Sequence, residues 1–352
     1  MIKFLKKSNE DKIKKFYDEA YGKEYILGNP IHQNWQFKIN PFNKSQNTTI
    51  IFSEHNNEIS SHLGFIPVEL LIGNKIKSAI WHVSFFTLER FRGQKLGTEL
   101  IKYNLNSFDF AMVLNGSDGT KKVYENISGH DLGNLNHYIV ILNKKNLEIY
   151  FDQELSQNEA SLNCEKLYFS RIKNLKSDYS YFWEKVSKRY TITVNRNENY
   201  LSWRYLEHPL IDYHFLELRD NEELVGYCVL RFEDNNKEIK AARIIDLIVF
   251  ENYEFQIFQH IIQYCKNKVD FLDFFFTGNY YTSSLKKSNF FNNAIENLPF
   301  PTVFNPLDKH RQSKINFFYR CNIENEIGFN LKNINNWYIV KGDSDQDRPN
   351  KL

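Results

Sequence analysis

Between Ser78 and Ile101 the chain changes its hydrophobic period once. The first part, SAIWHVSFFT, alternates and is rich in aromatic and β-branched residues, which is the pattern of a strand. Leu96, Leu100, Ile101 and Leu105 then recur at helical spacing, so a helix is expected from about Lys95. Arg90, Arg92, Gly93 and Gly97 lie at the change of period. A strand that runs through a basic, glycine-bearing turn into a helix suits an anion, because the first amides of the helix are free and its dipole favours negative charge. Glycine adds to this by removing the Cβ that would hold a phosphate away.

The flanking pattern extends the order of elements. Residues 2–5 read as a short strand and residues 9–21 as an amphipathic helix with Ile13, Phe16, Tyr17 and Ala20 on one side. A loop is expected around Trp35 and Pro41. Residues 48–55 and 59–71 flank Asn56-Asn57 as a hairpin. After the central helix, residues 108–114 form a near-continuous apolar run, hence a buried strand. Residues 120–127 read as a short helix, and residues 135–142 with 146–151 as a closing hairpin.

The pattern then recurs. WQFKINP at 35–41 is answered by WRYLEHP at 203–209, and each is followed by a hairpin, a further strand, a helix and an apolar strand. Three segments follow: residues 1–151, a helical connector at 152–189, and a second copy at 190–352. The second copy lacks the glycine turn. It has Glu251-Asn252-Tyr253-Glu254-Phe255 there, and two carboxylates near a helix start would repel a phosphate. The tail is read as a last strand and an acidic loop. Its run Asp343-Ser344-Asp345-Gln346-Asp347 lacks the glycine and the distant glutamate of a calcium loop.

Composition narrows the function classes. At 352 residues two domains are the default. A net charge of +2 gives no reason to expect a nucleic-acid partner. The four cysteines are scattered without a C-x-x-C pair, so neither a zinc site nor a disulfide framework is expected, and no metal. The first residues have no apolar signal-peptide core and the apolar runs are too short to span a membrane, so a cytoplasmic protein is expected. Oligomeric state is left open.

The segment Arg92-Gly93-Gln94-Lys95-Leu96-Gly97 resembles the acyl-CoA-binding motif of the GNAT acyltransferase superfamily, Arg/Gln-x-x-Gly-x-Gly/Ala, with Lys95 in place of the first glycine. The order of elements is similar to that of the family, and Tyr124 in KVYENISG falls where many members carry a tyrosine on the helix after the fifth strand. The resemblance implies a mixed α/β (α+β) chain of two tandem GNAT-type folds, each a mostly antiparallel sheet flanked by helices. It implies acetyl-CoA as cosubstrate, bound by the backbone of Leu88 and of Arg92, Gly93, Gln94, Lys95, Leu96, Gly97 and Thr98.

For N-acyl transfer the amine must lose a proton and the leaving thiolate must gain one. Tyr124 is the candidate acid. His82, on the strand before the loop, is the candidate base or amine-positioning group, its ordinary pKa near 6.5 suiting proton removal. Each also has a plainer reading, as a packing tyrosine and a satisfied sheet histidine. Asp246 and Asp343 are candidates for acceptor contacts, since a carboxylate accepts from hydroxyls or pairs an ammonium. The tail GDSDQDRP resembles tandem acyltransferases of bacterial surface-polysaccharide synthesis, which implies a small amine acceptor such as an amino sugar. A Fem-type aminoacyltransferase and a non-catalytic acyl-CoA or protein-binding scaffold are the alternatives.

Overall fold

The computed structural model describes all residues except 1, 46, 164–166, 235–237, 303–306, 308–313 and 351–352. In the first half, β1 (Ile2–Phe4) leads through α1 (Glu10–Tyr21) and α2 (Pro30–Phe37) into β2 (Ile50–His55), β3 (Glu58–Ile72) and β4 (Lys75–Thr87). Asn56 and Asn57 turn the β2–β3 hairpin with φ of 47° and 63°, angles that asparagine tolerates better than most residues. Then come α3 (Leu96–Leu105), β5 (Phe110–Leu114), α4 (Asp118–Asn126), β6 (His130–Asn134), β7 (Asn136–Ile141) and α5 (Lys144–Phe151).

Two expectations change here. Trp35 sits on a helix, not a loop. Asn29 caps it by accepting from the amides of Ile31 and His32, and Pro30 opens it. Residues 144–151 are also helical instead of the second arm of a hairpin. Asn143 accepts from the amide of Asn146, and Leu147 and Phe151, four apart, turn to the core.

The second half runs β8 (Tyr168–Arg171), α6 (Tyr179–Val186), β9 (Ile192–Val194), α7 (Glu198–Leu201), β10 (His214–Asp220), β11 (Glu223–Asp234) and β12 (Lys240–Val249). It continues with α8 (Glu254–Cys265), β13 (Phe271–Phe276), α9 (Thr282–Lys287), β14 (Phe291–Asn292), α10 (Asn293–Glu296), β15 (Asn316–Cys321) and β16 (Trp337–Tyr338).

Among the described residues there are two sheets, the first taking β9, β15 and β16 from the second half of the chain and the second taking β7 from the first half. The first runs β1-β2-β3-β4-β5-β15-β6, with β9 added to β3 and β16 to β9. The second runs β14-β7-β13-β12-β11-β10-β8. Thus β15 enters between β5 and β6, and β7 between β13 and β14. A cut after residue 151 leaves β7 with a half whose sheet it does not join. The largest apolar core runs without a break from Phe16 and Trp81 in the first half to Tyr227 and Phe276 in the second.

Candidate active site

The parallel strands β4 and β5 pair only from Ala79 with Phe110 to Trp81 with Met112. Just beyond, Ser84 and Phe85 together face the single residue Leu63 of β3. This bulge, with Ser84 at φ 55°, bends β4 away from its parallel neighbour. The hydroxyl of Tyr21 and Nδ1 of His62 hold the Ser84 carbonyl from behind, at 3.0 and 2.9 Å. The strands part around a cavity of about 320 Å³. Its walls are His82 to Phe85 of β4, Val113 to Ser117 at the end of β5, Tyr21 and Tyr25, and the tail residues Lys341, Asp345, Gln346, Arg348 and Asn350. Strand edges that no longer pair turn their backbone polar groups toward this space.

Phe85 joins the cavity to the glycine loop. A Cβ on Gly97 would lie 2.3 Å from the tip of the Phe85 ring, so any larger residue there would have to push that ring aside. Lys95 is the N-cap of α3 at φ 60°. Glycine reaches that conformation freely, whereas a residue with a Cβ gives up about 1 kcal/mol. The backbone therefore keeps the shape that the family's glycine would take, although the side chain differs. Among the described residues, nothing accepts from the backbone N–H groups of residues 93–98. Arg92 and Lys95 are exposed beside them, the Arg92 guanidinium 5.7 Å over the Phe86 ring. Arg90 is committed elsewhere, to Glu19 and Glu58. Leu88 anchors the loop, giving its N–H to Ser60 and its carbonyl to Phe91.

His82 and Tyr124 meet. Nδ1 of His82 lies 2.9 Å from the Tyr124 hydroxyl and Nε2 lies 3.0 Å from Oδ1 of Asn104. An amide oxygen only accepts, so His82 carries its proton on Nε2 and Nδ1 accepts from the phenol. Burial holds His82 down to about 4 and pushes Tyr124 up, so both are neutral at pH 7. With both ring nitrogens engaged, His82 has no lone pair left for an acceptor amine. His82 borders the cavity, and Tyr124 lies behind it against Phe318. Asn104 was not found from sequence. Its one signal is a polar residue at a buried position of α3, between Ile101 and Leu105.

No protein-family model and no curated protein matches the sequence. Solved structures do match in shape. A GCN5-related N-acetyltransferase from Anabaena variabilis aligns with TM-score 0.60 at 11% identity, over 91% of this chain and 72% of that one. A probable N-acyltransferase from Enterococcus faecalis aligns with TM-score 0.61 at 9% identity, over 91% and 72%. N-myristoyltransferase from Saccharomyces cerevisiae, solved with bound myristoyl-CoA and inhibitors, aligns with TM-score 0.56 at 11% identity, over 96% and 85%.

The chain carries the GNAT fold twice. In the second GNAT fold, β12 and β13 again run parallel and pair from Ala241 with Phe271 to Ile244 with Phe274. Here the space beyond is filled by the chain itself. Val340 bridges to Phe276, the Tyr338 hydroxyl donates to the Leu247 carbonyl, and Gly342 lies so close that a Cβ would meet Ile245 at 2.6 Å. Glu254, at the start of α8, is itself taken by Arg189 at 2.6 Å.

Asp246 and Asp343 do not face the cavity. Both are buried and both grip one buried guanidinium, Arg196, at 2.9 and 3.0 Å. Tyr205 and Tyr227 also donate to Asp246, and Tyr200 to Asp343. Lone pairs spent this way are not open to an acceptor, so these two carboxylates hold the tail on β12 instead of binding substrate. The acidic run is buried, not a solvated loop. Asp345 pairs with Arg348, and Asp347 with Arg204 and the Tyr213 hydroxyl. Among the described residues no group of three or more His, Cys, Asp or Glu is arranged to hold a metal, and no helix is long and apolar enough to cross a membrane.

Proposed function

We propose that the protein is an acyl-CoA-dependent N-acyltransferase with one donor site, in the first GNAT fold. One observation carries the reading. The parting of β4 and β5 leaves a cavity, and Phe85 links that cavity to a helix start whose amides at residues 93–98 have no partner. A pyrophosphate fits those amides, with Arg92 and Lys95 beside them to balance its charge. The pantetheine arm would then lie along the unpaired edge of β4, bringing the thioester to the cavity. The same space in the second fold is filled by residues 338–342, which is why a second donor site is not proposed.

The acceptor is a small amine, with an amino sugar as first choice. The cavity wall supports this with hydroxyl and amide groups from Ser84, Asn115, Ser117 and Asn350. Beside them Tyr21 and Tyr25 stack at 4.8 Å, an aromatic face of the kind on which sugar rings rest. A volume of about 320 Å³ leaves room for a short acyl group beside such an acceptor, so acetyl-CoA is the donor to test first. The amine attacks the thioester carbon as the C–S bond breaks. Tyr124 is the candidate acid for the departing thiolate; its hydroxyl donates to His82 and lies behind the cavity wall, so it serves only after turning out of that bond. Acetyl-CoA turnover against a panel of amines, amino sugars and their nucleotide conjugates included, tests the reading. Tight acetyl-CoA binding without transfer to any amine would leave a binding protein in its place.

A further inference from the structure

The donor site leaves one requirement unmet. The acceptor arrives as an ammonium, and His82 has no free lone pair to take its proton. The cavity contains a second basic group. Lys341 is 2% exposed and is among the residues that line the cavity. Its Nζ donates to the Thr302 carbonyl and lies 4.8 Å over the Phe275 ring. Among the described residues no carboxylate lies within ion-pair distance of it. The charged groups around it are matched with one another: Asp273 with Arg243 and His137, Asp347 with Arg204, Arg231 with Glu233, and Asp345 with Arg348. Burial, and then the nearby Arg243, lower its pKa far below the usual lysine range, with Asp273 and Asp347 opposing. A lysine kept neutral has two N–H donors and one lone pair, and that lone pair has no described partner.

Resting on the acyltransferase reading, we propose that Lys341 is the general base that takes the proton from the acceptor ammonium. In the first step the N–H bond of the acceptor breaks and Nζ of Lys341 becomes an ammonium. The freed amine then forms the N–C bond to the thioester carbon, giving a tetrahedral adduct. The adduct collapses with loss of the C–S bond, and its second amine proton passes to the CoA thiolate. Lys341 returns its proton to solvent. The sum is amide, CoA thiol and one proton, with no further reactant.

The test uses the full chain with acetyl-CoA and the best acceptor of the panel. K341M keeps the length of the side chain and K341R keeps a charge without a usable lone pair. Both are expected to bind acetyl-CoA as the wild type does, by calorimetry. Both should lose about 10²–10⁴-fold in kcat/KM at pH 7, the usual range for a general base. Wild-type kcat/KM should level off at a lower pH than that of K341M, which should keep rising with pH as free amine accumulates. Variant rates close to wild type at pH 7 would overturn the proposal, as would a loss that merely follows lost acetyl-CoA binding. A readout without turnover is ¹⁵N NMR of lysine-labelled protein. One side-chain resonance, absent from K341M, should titrate well below the ordinary lysine value of about 10.4, and titration near that value would also overturn the proposal. A wild type that acylates no amine while this resonance titrates low counts against the acyltransferase reading alone.

Discussion

Trp35 and Trp203 stack at 5.2 Å with their planes 21° apart, and each donates its indole N–H to the other's main-chain carbonyl, at 2.9 and 3.1 Å. Mutual bonds between equivalent residues are what an approximate two-fold axis between two copies produces. These are the tryptophans that open the repeated W-x-x-x-x-x-P segments. Trp35→Phe should cost about 1–3 kcal/mol, since it leaves a buried carbonyl without its donor. The double Phe variant should cost less than the sum of the singles, because contacting residues couple. Urea unfolding of the three variants measures this, and strict additivity would show the two bonds to be independent.

Acetyl-CoA should bind at one site per chain, and Gly97→Glu should weaken it severely. The new Cβ meets the Phe85 ring, and the carboxylate lies beside the amides that are left for the pyrophosphate. Calorimetry with two equivalent sites, or with unchanged affinity in the variant, contradicts this.

Tyr124→Phe should lower kcat by about 10²-fold while the donor KM stays near wild type, because only the departing thiolate needs the proton. Asn104→Ala should act in the same direction by releasing Nε2 of His82, and the two substitutions together should cost little more than the larger one. Independent effects would mean that Asn104, His82 and Tyr124 do not act as a unit.

Stability should fall on the acid side of neutrality. Burial holds His62 and His82 down to about 4 and His32 to about 3, from an ordinary 6.5. Between those values the unfolded chain takes up protons that the folded chain refuses, so the contribution is complete above about pH 6.5 and is lost as pH falls toward 4. Asp343, pushed up to about 6 by burial against the pull of Arg196, opposes this. Three imidazoles outweigh one carboxyl, so the melting temperature should drop steadily from pH 7 to pH 4.5. A flat profile would show that the histidines are solvated.

An isolated segment of residues 1–153 should neither fold nor acetylate. It lacks β15, which lies between β5 and β6, and it exposes β7, whose partners are β13 and β14. Dispersed amide NMR signals from that segment, or transfer at a rate like that of the full chain, would refute this.

Much of the local structure is legible in the sequence, because hydrophobic period and turn chemistry act over a few residues. The Asn56-Asn57 hairpin, the change of period at Lys95 and the helix of Tyr124 all lie where the pattern puts them. Residues 144–151 mislead because Leu147 and Phe151 are too few to tell a period of two from one of 3.6. The exchange of β7 and β15 is hidden for another reason. A strand's pattern fixes which face is buried, not which neighbour it pairs with. Asp246 and Asp343 look available because Arg196 is 50 and 147 residues away from them, and nothing local announces a shared guanidinium. Lys95 hides its conformation in the same way, since the φ that glycine would have signalled is imposed by the loop.

The exchange of strands bears on how the protein is made. On the ribosome, β5 emerges about 200 residues before β15, a delay of about 10–40 s at ordinary rates of synthesis. For that interval the nascent chain carries Phe110–Leu114, an all-apolar strand, with one edge unpaired, an invitation to stick to other chains. The first sheet cannot close until β15 and β16 are out, nor the second until β14 is. The cavity, bounded by the end of that strand on one side and by residues 341–350 on the other, is therefore complete only once residue 350 has been made.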